Sequence, residues 1–296
     1  MRVDAADPVD KILSHHGICG PWAPLHATGL ANRIYATADV VLRVATDHPE
    51  AIEDARTESI AAPVARAAGI LVPRLIAFDD SRSLLDRPYS LWERIHGETV
   101  GMVSSDVPVR GGTWHQVGRQ LAQLHDRVRE CHDPNGWLDR PGRAVDLSDR
   151  VDNLLDGGHL KPAVAAEIRR WIDVLEPQIS ASTPTRFLHH DLHAMNLMCS
   201  GDGTLLAIID WGDAGWGDPA LDFSFMPLAA LPVALAAYES EAPDYLGPSP
   251  EPRILWSRLE YALEELPRGA RPLDDLREFL LTTPPRWRRG LGGATL

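Results

Sequence analysis

The chain has 296 residues, 44% hydrophobic and 24% charged, enough apolar material for a sizeable buried core and too balanced for a disordered, collagen-like or coiled-coil chain. Its 42 acidic side chains outnumber 29 basic ones, leaving a formal net charge of −13. No Lys/Arg-rich block is present, which excludes the footprint of a nucleic-acid binder and leaves a surface suited to cationic small molecules. Cys19, Cys131 and Cys199 lie far apart without CxxC spacing, so neither a disulfide framework nor a zinc knuckle is expected, and a reducing cytoplasm is. Residues 1–16 lack the apolar core of a secretory signal. The longest apolar run, 226–238, is broken by Pro227 and Pro232, so no membrane span is expected.

In chain order, 33–36 and 40–44 read as strands joined by a turn at Thr37-Ala38-Asp39. A helix is predicted over 51–68, where Ile52, Ile60 and Val64 recur at helical spacing, with Pro73 soon after Gly69 marking its end. Strands follow at 75–78 and 89–95. Beyond Gly97 the pattern turns helical: 114–130, with Val117, Leu121, Leu124 and Val128 on one face, then 163–175, 257–266 and 273–281. Residues 246–252 read as a loop. One hairpin interrupts the helices, with strands 196–200 and 204–210 around Gly201-Asp202-Gly203.

That hairpin carries the most informative residues. Asn196 stands at the base of its first strand and Asp210 at the end of its second, and Asp191 lies five residues upstream. An amide oxygen and a carboxylate together offer hard ligands to Mg²⁺, which keeps other positions for water and phosphate, and a separate carboxylate could accept a hydroxyl proton.

His189-x-Asp191-x₄-Asn196, followed by Asp210-Trp211-Gly212 and Gly217-Asp218-Pro219-Ala220-Leu221-Asp222, resembles the catalytic and metal-binding loops of the aminoglycoside phosphotransferase family, a branch of the protein-kinase-like fold. The likeness extends over roughly 22–225. It implies an α+β, two-lobed fold with a small β-rich amino-terminal lobe (1–95) and a larger, mainly helical lobe (96–296). It also implies that Asp191 is the catalytic base, that Asn196 and Asp210 hold Mg²⁺, and that His189, Asp218 and Asp222 support the site.

In the first lobe, 28–35 resembles the turn that covers the nucleotide, giving roles to Gly29 and Asn32. Strand alternation puts Val41 and Arg43 on one face; by the resemblance, Val41 covers the adenine, Arg43 reaches the phosphates and Glu58 pairs with Arg43. The run 91–97 resembles the hinge, whose backbone meets adenine around Glu93 and Ile95, and 121–125 resembles a structural helix end. Two residues depart from the family pattern. Arg43 stands where lysine is usual, since the only lysines are Lys11 and Lys161, and His190 stands where glycine is common before the catalytic aspartate.

The resemblance implies transfer of a phosphoryl group from ATP or GTP to a hydroxyl of a small-molecule acceptor, by a monomer or weak homodimer. The acidic excess is greatest in the last third. Glu239, Glu241 and Asp244 fall in one expected loop and Glu260, Glu264 and Glu265 on an expected helix, which favours a cationic antibiotic, an aminoglycoside or basic peptide, and a role in antibiotic resistance. His190, His193 and Asp213 are further candidate acceptor contacts. Alternatives are a metabolite or macrolide kinase, a silent nucleotide-binding relative, and a zinc hydrolase built on His189, His190, Asp191 and His193.

Overall fold

The computed structural model describes residues 7–25, 31–48, 50–103, 107–138, 146–179, 185–247, 250–268, 273–274 and 276–278. Helix α1 (Pro8–His15) starts where Asp7 accepts the Val9 N–H at 2.8 Å and Pro8 takes the first helical position, where a missing N–H is no loss. Strands β1 (Ala23–Leu25), β2 (Asn32–Ala36) and β3 (Val40–Ala45) follow, then helix α2 (Ala51–Ala67) and strands β4 (Leu75–Asp79) and β5 (Tyr89–Glu93). The five strands form one antiparallel sheet in the order β1-β2-β3-β5-β4.

Strand β3 divides two apolar regions. Val40, Leu42 and Val44 join Tyr89 and Leu91 under Val9, Ile12 and Leu13 of α1, whereas Val41 packs against the larger core on the other side. Arg43 shares Val41's face, so the period of two delivers one cation to the side of the sheet that meets the rest of the molecule.

The second, larger part contains β6 (Glu98–Thr99), α3 (Val100–Val103), α4 (Val107–Arg127), α5 (Leu147–Asp156), α6 (Pro162–Ile179), β7 (Arg186–Leu188), β8 (Leu197–Cys199), β9 (Leu205–Ile208), β10 (Gly215–Gly217), α7 (Leu231–Glu241) and α8 (Pro250–Glu265). The β8–β9 hairpin takes β6 as a third strand, and β10 pairs with β7. Ile208 donates its N–H to the Leu71 carbonyl at 2.7 Å, fastening the hairpin to the segment after α2.

Several elements differ from the sequence expectation, each for a local reason. Helix α4 begins at Val107 rather than 114, running through Gly111 and Gly112 despite their low helix propensity. The run 226–238 is interrupted at Pro227, which precedes a short 3₁₀ turn (Leu228–Ala230), but not at Pro232, which sits in the first turn of α7, where proline is tolerated. Glu239 and Glu241 therefore lie on a helix, not in a loop. Residues 246–252 are not all loop, since α8 starts at Pro250. The expected strand 89–95 stops at Glu93, and helix α1, opened by Asp7 and Pro8, is not among the expected elements. Of the helix expected at 273–281, positions 273–274 and 276–278 are helical and 275 and 279–281 lie outside the described residues.

Helices α4 and α7 pack so closely that a Cβ on Gly118 would lie 2.1 Å from the Ala234 carbonyl oxygen. Backbone cannot yield as a flexible side chain can, so Gly118→Ala should destabilise the fold by about 3 kcal/mol. Urea unfolding followed by circular dichroism reads this directly; an unchanged midpoint would contradict the close crossing.

Candidate active site

After β7 the chain turns through His189, His190 and Asp191 into a 3₁₀ turn (Ala194–Asn196) that leads to β8. His190 adopts φ 68°, a left-handed conformation that costs a non-glycine residue roughly 1–2 kcal/mol. Asp222 holds the turn in place: its Oδ2 accepts the His189 N–H at 3.1 Å and its Oδ1 accepts the His190 N–H at 2.7 Å. Fully buried, Asp222 also meets His125 Nε2 at 3.0 Å, and His125 Nδ1 lies 2.8 Å from the Tyr238 hydroxyl. Burial opposes the Asp222 charge, but the hydrogen bond and field of His125 outweigh it and hold the carboxyl below its ordinary range.

His189 is buried, and burial lowers its pKa, which favours the neutral ring. Its Nε2 donates to the Ile209 carbonyl at 3.0 Å and its Nδ1 accepts the Asp191 N–H at 3.3 Å, so one imidazole joins the loop to the end of the hairpin. Asp191 is part-exposed. Asn196 donates its Nδ2 to the Asp191 carbonyl (2.8 Å) and carboxylate (3.0 Å), leaving Oδ1 as the amide's acceptor. His193 Nε2 lies 3.4 Å from Asp191 Oδ2, and this hydrogen bond raises the His193 pKa against the opposing effect of burial.

Across the hairpin base, Ile209, the residue before Asp210, donates its N–H to the Asn196 carbonyl at 2.9 Å. Asp210 also has a left-handed backbone, at φ 66°. Arg43 reaches it from β3: Nη2 lies 2.8 Å from Asp210 Oδ1, while Nη1 lies 2.6 and 2.8 Å from the two Glu58 oxygens. Glu58 Oε1 also accepts the Trp211 N–H at 3.3 Å. A Cβ on Gly212 would stand 2.8 Å from Asp54 Cβ, so only glycine lets this loop lie against α2. Arg43 holds the Asp210 carboxyl below its usual range. Burial raises Glu58, a shift that Arg43 limits, and the two carboxylates outweigh burial to keep Arg43 charged.

Asn196 Oδ1 and the Asp210 carboxylate are hard oxygens suited to Mg²⁺. Among the described residues no group of three or more His, Cys, Asp or Glu side chains is placed to hold a metal. Two protein ligands suit a metal that completes its shell with phosphate and water.

The structure gathers Asp191, Asn196, Asp210, Arg43, Glu58, His189, His193 and Asp222, with Val41 on the same strand face as Arg43. Asp218 caps the 3₁₀ turn at Pro219–Phe223 through the Ala220 N–H (2.9 Å) and pairs with Arg253 of α8 at 2.6 Å. Asn32 opens β2 opposite Ala45, and Gly29 lies outside the described residues. The Glu93 N–H is bonded to the Arg74 carbonyl at 2.9 Å, which leaves only its carbonyl for a base, and Ile95 lies half-buried in the link beyond β5.

Several of the acidic side chains expected at the acceptor surface lie near arginines. Glu241 pairs with Arg119 of α4 at 2.7 Å, beside a hollow of about 190 Å³ that includes Asp126 and Tyr245. Glu239 is half-buried on α7, Glu260 feels Arg150 and Glu264, Glu264 lies 4.0 Å from Arg268, and Asp213 is exposed. The His190 ring lies against β10, where a Cβ on Gly217 would come within 3.3 Å of it. Sequence reasoning missed Phe225 and Tyr261, an edge-to-face pair 5.2 Å apart, and Arg253; a half-exposed tyrosine on an amphipathic helix leaves no signal in the sequence.

The phosphotransferase enzyme family model matches residues 23–253. Among solved structures, a choline/ethanolamine kinase family protein from Mesorhizobium loti is 18% identical with a TM-score of 0.61, covering 97% of this chain and 98% of that one. A thermostable mutant of aminoglycoside phosphotransferase APH(4)-Ia, in ternary complex with ADP and hygromycin B, is 17% identical with a TM-score of 0.58, covering 96% and 98%. The GDP and kanamycin complex of APH(2")-IIIa is 15% identical with a TM-score of 0.61, covering 97% and 99%. No curated protein matches the chain.

Removing the buried anchor should unfasten the loop. Asp222→Ala strands the His189 and His190 amides and should cost about 3–5 kcal/mol of stability, read from the urea midpoint. A loss below about 1 kcal/mol would mean that the loop holds itself.

Proposed function

Since the chain belongs to this phosphotransferase family and has its protein-kinase-like, two-lobed α+β fold, we propose that it moves the γ-phosphoryl group of ATP or GTP to a hydroxyl of a small cationic acceptor. One observation carries the reading: an almost unbroken chain of polar contacts runs from Asp191 through Asn196 to the hairpin base, and from Asp210 through Arg43 to Glu58. A proton acceptor, two hard metal ligands and a phosphate cation lie along it, which are the parts phosphoryl transfer requires.

In this mechanism Asp191 orients the acceptor hydroxyl and takes its proton as the new O–P bond forms and the bond to the departing nucleoside diphosphate breaks. Asn196 and Asp210 hold Mg²⁺, which when bound supplies charge neutralisation at the phosphates. Arg43 supplies further positive charge on the nucleotide side, and its fork suits phosphate oxygens.

The acceptor face is assigned to Phe225 and Tyr261. Phe225 follows Asp222 by one turn, and Arg258 fixes the intervening loop by donating to the Ser224 and Met226 carbonyls at 2.7 Å each. Burial raises the Tyr261 hydroxyl; the charges of Glu265 and Asp191 add to this, and those of Arg268 and Arg258 oppose it. The exposed face of an aromatic ring favours an ammonium group on the acceptor. Aminoglycosides, basic peptides and amino alcohols share that chemistry; of the similar structures, one holds hygromycin B, another kanamycin, and a third is described as choline/ethanolamine kinase family. No helix among the described residues is long and apolar enough to cross a membrane.

Asp191→Ala should lower turnover by a factor of about 10³ or more while ADP affinity stays within about threefold, measured by coupled assay and calorimetry. Equal losses in both would remove Asp191 from the role of base. Asp210→Ala, or chelation of divalent metal, should instead weaken nucleotide binding by roughly tenfold or more. Kanamycin, hygromycin B, choline and a basic peptide, screened by mass spectrometry for ATP-dependent gain of one phosphate, test the acceptor class.

A further inference from the structure

The guanidinium of Arg43 is divided between two jobs. Nη1 serves both oxygens of Glu58 and Nη2 serves Asp210 Oδ1, while Nε is buried with no hydrogen-bond partner. An unsatisfied buried donor marks an arrangement that better acceptors can improve, and a polyphosphate is rich in them. The Asp210 carboxylate cannot easily turn away from Arg43, because the Trp211 N–H bond to Glu58 and the fit of Gly212 against Asp54 fix its loop to α2.

We propose that Arg43 caps the metal carboxylate in the nucleotide-free molecule, so that a divalent cation enters with the nucleotide and not before it. A free cation approaching Asp210 meets a carboxylate already neutralised by a permanent positive charge about one hydrogen bond away, and like charges at that range repel strongly. Nucleotide phosphates provide the competing anion. They draw Nη2 and the orphaned Nε, release Oδ1, and bring ligands that two protein oxygens alone do not supply. Arg43 is then a positioning residue acting through Asp210, as well as a phosphate contact. The effect belongs to arginine, whose planar fork spans both carboxylates; a lysine ammonium is a single point charge. The inference rests on the phosphotransfer reading of the site.

The test is Mn²⁺ binding, followed by the electron paramagnetic resonance signal of the free ion, in the full chain with and without ADP. The wild-type protein should bind Mn²⁺ at least about tenfold more tightly with ADP than the protein alone or ADP alone does. Arg43→Gln combined with Glu58→Gln, which avoids leaving a buried carboxylate unpaired, should bind Mn²⁺ without nucleotide at least about tenfold more tightly than wild type, and Arg43→Lys should lie between. Adding Asp210→Ala to the double variant should abolish the gain, which a purely structural role for Arg43 would not produce. Equal nucleotide-free affinity in wild type and in both Arg43 variants, with Mn²⁺·ADP still bound, overturns the capping role alone. Failure of ADP to bring Mn²⁺ to the wild-type protein overturns the phosphotransfer reading together with it.

Discussion

The candidate catalytic loop depends on a single buried carboxylate. Asp222 accepts two consecutive backbone amides and meets His125 of α4, which in turn contacts Tyr238 of α7. Three elements far apart in sequence are thereby tied to one side chain. A charge buried this way is costly unless its hydrogen bonds are made, and here they hold His190 in a conformation that its side chain disfavours. Asp191, the next residue, inherits its position from that constraint.

The cation on the other side is positioned by different physics. Strand β3 lies between two apolar regions, and the alternation of its side chains leaves Arg43 no choice of face. Helix α2 then presents Glu58, and the hairpin presents Asp210. The hairpin itself is anchored to the segment after α2 through Leu71. Parts contributed by sheet, helix and hairpin converge because each is fixed separately by packing or by backbone hydrogen bonds.

Much of this was legible in the sequence, and the missing pieces share a cause. The β2–β3 turn, α2, and the hairpin with Asp191, Asn196 and Asp210 around it are local patterns: alternation, helical spacing and a Gly-Asp-Gly turn. What was hidden depends on contacts between distant segments. Arg253 matters because Asp218 and the Leu246 carbonyl lie against it, and Tyr261 because its ring meets Phe225. Glu239 and Glu241 were expected in a loop, whereas α7 runs on to Glu241. Of the acidic side chains expected at the acceptor face, Glu241 meets Arg119 only through the fold, whereas Arg268 reaches Glu264 from four residues away. Composition counts charges but does not record which of them are already paired.

Helix α1 has a practical consequence for anyone shortening this chain. It is an eight-residue lid whose Val9, Ile12 and Leu13 shield the outer surface of the sheet. A version trimmed to begin at β1 would show Leu42, Val44 and Leu91 to water as a ready-made sticky stripe, and its first symptom would be clumping during expression.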